Sequence, residues 1–378
     1  MTRLSRPSAP SGDKDAPVGG EIVPPGGRSV AARRAPRRAA GLGLAPASAA
    51  CFFLLASMLA ALLAGAADMA PGKVALQLLD WLPFVSLDSG LAPVERALLF
   101  ELRLPRVLLA AIVGGLLACA GAGYQGVFRN PLADPYLLGA AAGAGLTTTA
   151  AIVFMKGDGS ALVVPVAAFA GAVGGVLLAY ALGNVAGRGG GTATLVLAGV
   201  AVTSFLSAVQ TFLQQLNVEE LQRIYSWILG NVGGGWDQVW LVAPYALVSV
   251  VVLLLYGRLL DVLSVGDDEA ASLGLDVARV RLVVLLAASL ATASAVAVSG
   301  LIGFVGIVVP HVVRRLAGGS YRVVLPISLV GGGAFLVLAD LIARTVIAPA
   351  ELPIGVVTAF VGAPFFVAVL RLTRRVDT

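Results

Sequence analysis

Charged residues, histidine and cysteine are all scarce in this chain. Only 12% of its 378 residues are charged, against roughly 25% in an ordinary globular domain. The single histidine, His311, has no second metal ligand at a suitable spacing, so we interpret it as a residue of a helix end or loop. The two cysteines, Cys51 and Cys119, lie inside apolar stretches. We expect them to be small packing residues and predict neither a disulfide nor a metal site.

A nucleotide-binding loop is also missing from the sequence. No segment matches Gly-x-x-x-x-Gly-Lys-Ser/Thr, the loop that cradles the phosphates of ATP. The nearest segment, Pro71-Gly72-Lys73-Val74, lacks the hydroxyl and the upstream glycine, and the GRGGGT run at 187–192 has no Lys-Ser after it. We therefore predict no catalytic residues and no bound cofactor in this chain, and we do not expect it to be an enzyme by itself.

Apolar sequence, by contrast, is abundant. Hydrophobic residues make up 58% of the chain and the mean hydropathy is +0.93. A helix needs ~20 apolar residues to cross a bilayer, whereas the apolar runs here are too long and continuous for the ~10-residue alternating strands of a membrane barrel. We predict an all-α polytopic membrane protein with about ten transmembrane helices, at 47–67, 107–128, 136–154, 162–183, 194–213, 238–257, 282–299, 303–316, 323–343 and 354–371.

The first 46 residues differ from the rest of the chain. They are rich in Pro, Gly, Ser, Ala and Arg without an apolar period, so residues 1–46 are expected to form a disordered basic cytoplasmic tail. The apolar run at 47–67 could be read as a signal peptide. Its length and the long segment before it favour a retained first helix. Residues 47–373 are then expected to form the transmembrane domain.

The distribution of arginine and lysine predicts the orientation in the membrane. With a cytoplasmic N-terminus and ten spans, 19 of the 26 basic residues fall on the cytoplasmic side, as the positive-inside rule requires. Both termini are therefore expected in the cytoplasm. The net charge of +5 is explained by lipid headgroups and topology, because the basic residues lie at the ends of apolar segments and in the tail, and no nucleic acid partner is predicted.

Within the predicted spans, acidic residues are almost absent. Asp340 stands near the outer end of its helix, one turn before Arg344, and we expect a structural pair between them. Because a charge at mid-bilayer is costly, ion-driven transporters keep one for function. The absence of a charge at mid-bilayer disfavours an ion-driven secondary transporter, which stays the alternative. A non-transporting membrane scaffold is a third possibility. A transporter with neither an ATP site nor a charge relay needs an external source of energy.

One exception to the scarcity of charge is the cytoplasmic segment GDDEAASLGL at 266–275. Its acids follow Gly266 at the electropositive N-terminal end of a short predicted helix. Gly274 can end that helix in a left-handed conformation, and Asp276 can cap the next one. We predict a pair of short helices over about 263–281. Helices this short are not stable alone in water, so the pair needs a surface to pack on, and a partner protein is a candidate.

Four segments together resemble a known family. They are RLPR at 103–106, GGLLACAGAGYQGVFRNPLADPYLLG at 114–139, GLIGFVGIVVPHVVR at 300–314 and ADLIARTVIAPAELPIGVVTAFVGAPFF at 339–366. With the acidic segment, they are similar to the FecCD-type permeases of type II ABC importers for ferric siderophores, haem and vitamin B12, over residues 50–373. The resemblance implies the type II importer permease fold, a homodimer in the inner membrane, two ATP-binding subunits that bind ATP-Mg, and a periplasmic substrate-binding protein. It leaves the substrate open.

The resemblance also implies roles for particular residues. Three sets are expected: ATPase coupling by Gly266, Asp267, Asp268, Glu269, Ala270, Leu273 and Gly274; docking of the binding protein by Arg103, Arg106 and Arg344; and a cytoplasmic gate formed by Asn130, Leu132, Thr192 and Ala193. Asn130 and Leu132 match one gate of the path, and Thr192 and Ala193 match the other. The vitamin B12 permease has Thr-Ser at this second gate, so the gate lacks a hydroxyl here.

Overall fold

A computed structural model describes residues 43–65, 69–80, 88–155, 162–186 and 192–374. Within these ranges the chain is helical and contains no strand. The predicted tail lies outside the described residues except for its last four positions, and the first helix begins at Leu44. The GRGGGT connector also lies outside them, apart from Thr192.

Fifteen α-helices are described in chain order. They are α1 Leu44–Leu63, α2 Pro71–Asp80, α3 Pro93–Ala97, α4 Leu104–Phe128, α5 Ala140–Met155, α6 Val163–Ala186, α7 Thr192–Leu216, α8 Leu221–Ile228, α9 Trp236–Leu255, α10 Gly257–Leu263, α11 Asp267–Ser272, α12 Val277–Ser299, α13 Val305–Ala317, α14 Tyr321–Thr345 and α15 Ile354–Arg374. A π-helical turn, Leu98–Arg103, joins α3 to α4.

Each of the ten predicted spans coincides with one of these helices, but they differ in length. Seven helices of the described ranges are long and apolar enough to cross a membrane, and two shorter apolar ones, Ala140–Met155 and Ile354–Val369, accompany them. The remaining helix, α13, has 13 residues, which gives ~20 Å at 1.5 Å per residue, less than the ~30 Å hydrocarbon core. The predicted third span begins too early, because residues 136–139 form a turn before α5.

Helix α4 is buried along nearly its whole length and packs against α14, α12, α13 and α9. Glycines let the backbones meet there. A Cβ on Gly114 would overlap the carbonyl oxygen of Gly332 in α14, and one on Gly121 would overlap that of Gly306 in α13. Small residues that allow close helix approach are typical of packed membrane helices. The small-xxx-small spacing Gly114–Ala118 therefore serves packing, as the sequence predicts.

The two ends of α4 lie at residues of two of the three predicted sets, the docking set and the gate set. Arg106 lies in its first turn, and Arg129 directly follows its last residue. A separation of 23 residues corresponds to ~35 Å along a helix. The predicted docking residue Arg106 and the predicted gate residue Asn130 thus lie at opposite ends of one buried helix.

Candidate functional site

At the predicted outer end lies a group of charged residues that we call the outer cluster: Arg103, Arg106, Asp340, Arg344 and Glu351. At its centre, the Arg106 guanidinium binds two carboxylates from different parts of the chain. Its Nη2 is 2.8 Å from Asp340 Oδ1 in α14, and its Nε donates to the same oxygen at 3.1 Å. Its Nη1 and Nη2 donate to the two oxygens of Glu351 at 3.0 and 2.9 Å. Such fork geometry fixes both carboxylates relative to α4.

The other two arginines of the outer cluster point into the protein and hold the end of α1. Arg103 Nη1 donates to the carbonyl of Leu62 at 3.1 Å, and Arg344 Nη2 donates to the carbonyl of Ala61. The last carbonyls of a helix have no partner within the helix, and the negative end of the helix dipole favours cations. Both guanidiniums therefore stabilise the C-terminal end of α1.

This geometry changes the expectation that three surface arginines dock a partner. Arg103 is 7% exposed and Arg344 is 3% exposed, so in this conformation neither is available on the surface. Arg106 has 17% of its side chain exposed and lines, with Glu351, a cleft of about 100 Å³. Arg106 is the one of the three whose position suits docking without rearrangement of its neighbours.

Two features of the outer cluster were missed or incomplete in the sequence analysis. The expected pair between Asp340 and Arg344 exists, at 3.4 Å, but Arg106 is the closer partner of Asp340. Glu351 was not singled out at all. Its hydrogen bond to Arg106 lowers its pKa below the ordinary value of a glutamate. A lone acid in the apolar stretch after Arg344 was the available signal.

At the predicted inner end, the helix predicted to couple to an ATPase is α11, Asp267–Ser272, which we call the coupling helix, and its boundaries agree with the predicted caps. Gly266 precedes it at φ 145° and Gly274 follows it at φ 84°. The Gly274 and Leu275 amides donate to the carbonyls of Ala271 and Ala270 at 2.9 and 3.1 Å, which closes the helix in a left-handed cap. Asp276 accepts from the Arg279 amide at 3.0 Å.

The predicted pair of short helices is wrong in its second member. The helix that Asp276 caps does not stop after a few residues but continues as α12, Val277–Ser299. Arg279 and Arg281 lie in the first two turns of α12. Helix α11 contacts both α10 and α12, and these two helices give it the internal surface to pack on that a six-residue helix needs.

The side chains of the coupling helix divide into an inner and an outer set. Ala270 is completely buried within the chain, so its predicted contact with an ATPase does not fit the structure. Asp267 faces Arg129 and Arg281 of its own chain. Asp268 and Glu269 are exposed, and Leu273 is 72% exposed. These three are the predicted coupling residues that present side chains to the outside.

The gate loop is residues 129–139, between α4 and α5. Asn130 Oδ1 accepts from the Leu132 amide at 2.9 Å, and Asp134 Oδ1 accepts from the Tyr136 amide at 2.7 Å. The Tyr136 hydroxyl bonds the backbone of Ile302 at 3.1 Å, which ties the loop to the segment before α13. These side-chain-to-backbone bonds shape the loop and leave Asn130 and Leu132 exposed.

The second predicted gate pair begins α7. Thr192 is half-buried and Ala193 is exposed. About two turns further along, Gly199 meets the backbone of the gate loop, since a Cβ there would overlap the carbonyl oxygen of Leu137. The structure therefore brings α7 against the end of the gate loop.

Comparison with known proteins decides the family. A sequence profile of the FecCD transport family matches residues 53–372. The chain belongs to the FecCD transport family. It is 43% identical over 288 residues to a cobalamin import system permease protein (BtuC) of Halobacterium salinarum, covering 75% of this chain and 76% of that protein. It is 42% identical to an ABC transporter permease protein (YvrB) of Bacillus subtilis, covering 74% of this chain and 80% of that protein.

A third relative and a solved structure agree with this assignment. A hemin transport system permease protein (HmuU) of Yersinia pestis is 38% identical, over 73% of this chain and 84% of its own length. The solved structure, an inward-facing conformation of a metal-chelate type ABC transporter, superposes with a TM-score of 0.74 at 29% identity, over 86% of this chain and 98% of that one. The predicted all-α permease fold is confirmed, and the chain is a multi-pass membrane transport permease.

Proposed function

We propose that this chain is the membrane-spanning permease subunit of an ATP-driven importer whose cargo is a ferric siderophore, haem or cobalamin. The family membership and the transport systems named for its relatives support this assignment. The complex lies in the inner membrane with both termini of this chain in the cytoplasm, and transport proceeds by alternating access.

The main structural support for this proposal is the exposed side of the coupling helix. Asp268, Glu269 and Leu273 form an exposed acidic and apolar surface at the end of the chain assigned to the cytoplasm. Exposed apolar side chains grouped with charges mark protein-binding surfaces. The sequence has no phosphate-binding loop of its own. We infer that this surface docks an ATP-binding subunit, and that ATP-Mg is bound there and not by this chain.

A second copy of the chain is the proposed partner of α7. Ser204, Ala208, Thr211 and Gln215 are all exposed and, spaced at four, three and four residues, lie on one face of this membrane-length helix. An exposed glutamine is costly against lipid, so a polar face suits a subunit interface or an aqueous path. A homodimer with the path between its two α7 helices accounts for both.

At the outer end, we infer that Arg106 and Glu351 belong to the surface that meets a periplasmic substrate-binding protein. Partly exposed ion pairs are worth only ~0–1 kcal/mol each. Contacts of this strength orient a partner and speed its encounter without trapping it, which suits a protein that delivers cargo and then leaves.

The docking of the ATPase is tested by Leu273→Ser, with Val218→Ser as the matched control. Both side chains are apolar and exposed, at 72% and 61%, and the predicted topology assigns them to opposite sides of the membrane. We expect Leu273→Ser to reduce co-purification of the ATP-binding subunit and ATP-dependent uptake, while Val218→Ser leaves both unchanged. Equal retention of the ATPase by the two variants would contradict the coupling assignment.

The cargo and the energy source are tested in proteoliposomes that contain the complex and the binding protein. We expect ATP-dependent accumulation of one of three labelled probes: cobalamin, a ferric hydroxamate or haem. Uptake that runs on a proton or sodium gradient, without ATP or partner proteins, would instead establish the ion-driven alternative.

A further inference from the structure

We propose that Asp267 is a positioning residue that ties the coupling helix α11 to the gate loop, so that movement of this helix reaches the gate through Arg129. The inference rests on the proposed function and deepens it, because it assigns one predicted ATPase contact to transmission within the chain. Asp267 Oδ1 lies 3.4 Å from Arg129 Nη2.

Arg129 occupies the junction between a buried helix and the gate loop. It follows the last residue of α4 in a left-handed conformation, φ 48° and ψ 34°, which non-glycine residues adopt rarely. Its amide donates back into α4, to the carbonyl of Gly126. A displacement of the Arg129 side chain would therefore act at the junction between the end of α4 and the gate residues Asn130 and Leu132.

Asp267 is shared between two arginines of different segments. Besides Arg129, it accepts two hydrogen bonds from Arg281 Nη2 in α12, at 3.1 and 3.0 Å. As the first residue of α11, its carboxylate connects three segments: the coupling helix, the end of α4 and the start of α12. Ala270, one turn later, is buried against the chain, so the inner side of α11 is held at two points.

The exposed side of the same helix is available to a partner. Leu273 is exposed, and Asp268 forms no ion pair within the described residues. The helix thus has an exposed side, with Asp268 and Leu273, for the ATPase, and a side on which Asp267 forms an ion pair with Arg129 of the gate loop. A partner that binds Leu273 and displaces α11 would also displace Asp267. Through the ion pair with Arg129, this movement would reach the gate residue Leu132.

The test reports on the gate without any transported substrate. In the complex with its ATP-binding subunit, Leu132→Cys is labelled with a maleimide in the presence and absence of ATP-Mg and vanadate. Cys51, which is exposed, is first replaced by alanine, whereas Cys119 is buried and therefore out of reach of the maleimide. The coupling variants are Asp267→Asn, Arg129→Gln and the double variant. Arg322→Gln is the control, since Arg322 is an exposed arginine near the same end.

We expect each coupling variant to retain the ATPase but to lose the ATP-dependent change in labelling by about threefold, since partly exposed ion pairs are individually modest. The double variant should be no worse than either single one, and Asp267→Glu, which keeps the carboxylate, should restore the response. Arg322→Gln should respond normally.

The outcomes separate this inference from the proposed function. If the ATPase binds and the gate responds to ATP equally in Asp267→Asn and the parent, the tether is refuted and the importer assignment stands. If Asp267→Asn and Asp267→Glu both lose the ATPase, Asp267 is a docking contact and the tether is again refuted. If the parent chain itself retains no ATP-binding subunit, the proposed function falls, and this inference with it.

Discussion

The buried carboxylate of the outer cluster offers a sharp test of its energetics. Asp340 is 1% exposed and is the shared partner of Arg106, at 2.8 Å, and Arg344, at 3.4 Å. In Asp340→Asn the side chain keeps its shape and loses its charge. The new amide group would then face guanidinium donors, and two positive charges would lose their common partner.

The expected cost follows from burial. Breaking a buried ion pair by removing one partner typically costs ~3–5 kcal/mol, whereas an exposed pair is worth ~0–1 kcal/mol. Glu351 binds the same guanidinium at 2.9 Å, but 40% of its side chain is exposed. At roughly 2 °C per kcal/mol in a chain this large, Asp340→Asn should lower the melting temperature by at least about 5 °C, and Glu351→Gln by no more than about 2 °C.

Thermal unfolding of the purified variants in one detergent measures this difference. The double variant Asp340→Asn/Arg344→Gln should lose less than the sum of the two single variants, because Arg344→Gln removes a buried positive charge that no longer has a carboxylate beside it, although it also removes the hydrogen bond to Ala61. If Asp340→Asn and Glu351→Gln melt at the same temperature, or if the double variant loses the sum of both effects, burial does not set the strength of the outer cluster.

Two further predictions concern packing and pH. Gly171→Ala should lower the melting temperature by several degrees, because its Cβ would overlap the carbonyl oxygen of Gly143 in α5 and overpacking costs ~1–3 kcal/mol; Gly174→Ala on the same helix meets nothing within 4 Å and should melt no lower than the parent. The pKa of Glu351 is lowered by Arg106, so its pair is fully present above the ordinary glutamate pKa of ~4.3 and is lost as the pH falls through the lowered value. The melting difference between the parent and Glu351→Gln should therefore stay constant from pH 7 to about 4.3 and close only below it; closure well above that pH would contradict the lowered pKa.

Local features of the fold follow from the sequence because neighbouring residues determine them. Apolar runs located the helices, and Gly266, Gly274 and Asp276 located the ends of the coupling helix. Each of these features depends on the preferences of one residue or on a short period. The same reasoning gave the wrong length for the second helix of the predicted pair, because nothing between Asp276 and the apolar run marks where the aqueous end of α12 meets the membrane.

The contacts that build the candidate sites were less accessible to sequence reasoning. Arg106 lies 234 residues from Asp340 and 245 from Glu351, and no local pattern joins positions so far apart. The sequence analysis placed Arg106 and Asp340 near the outer end but could not pair them, and it did not single out Glu351. Likewise, neither the left-handed conformation of Arg129 nor the inward direction of Ala270 follows from residue type. These properties depend on how α4, α11 and α12 pack together.

The anchoring of α1 by two arginines has a consequence for the order in which the protein assembles. Arg103 is 41 residues from its acceptor Leu62, whereas Arg344 is 283 residues from Ala61. During synthesis, Arg103 is therefore available to bind the end of α1 soon after that helix is made. Arg344 becomes available only after most of the chain has been synthesised. A nascent chain that stops before α14 therefore has only the first of these two hydrogen bonds to the end of α1, together with the contacts of α1 with α2 and α4.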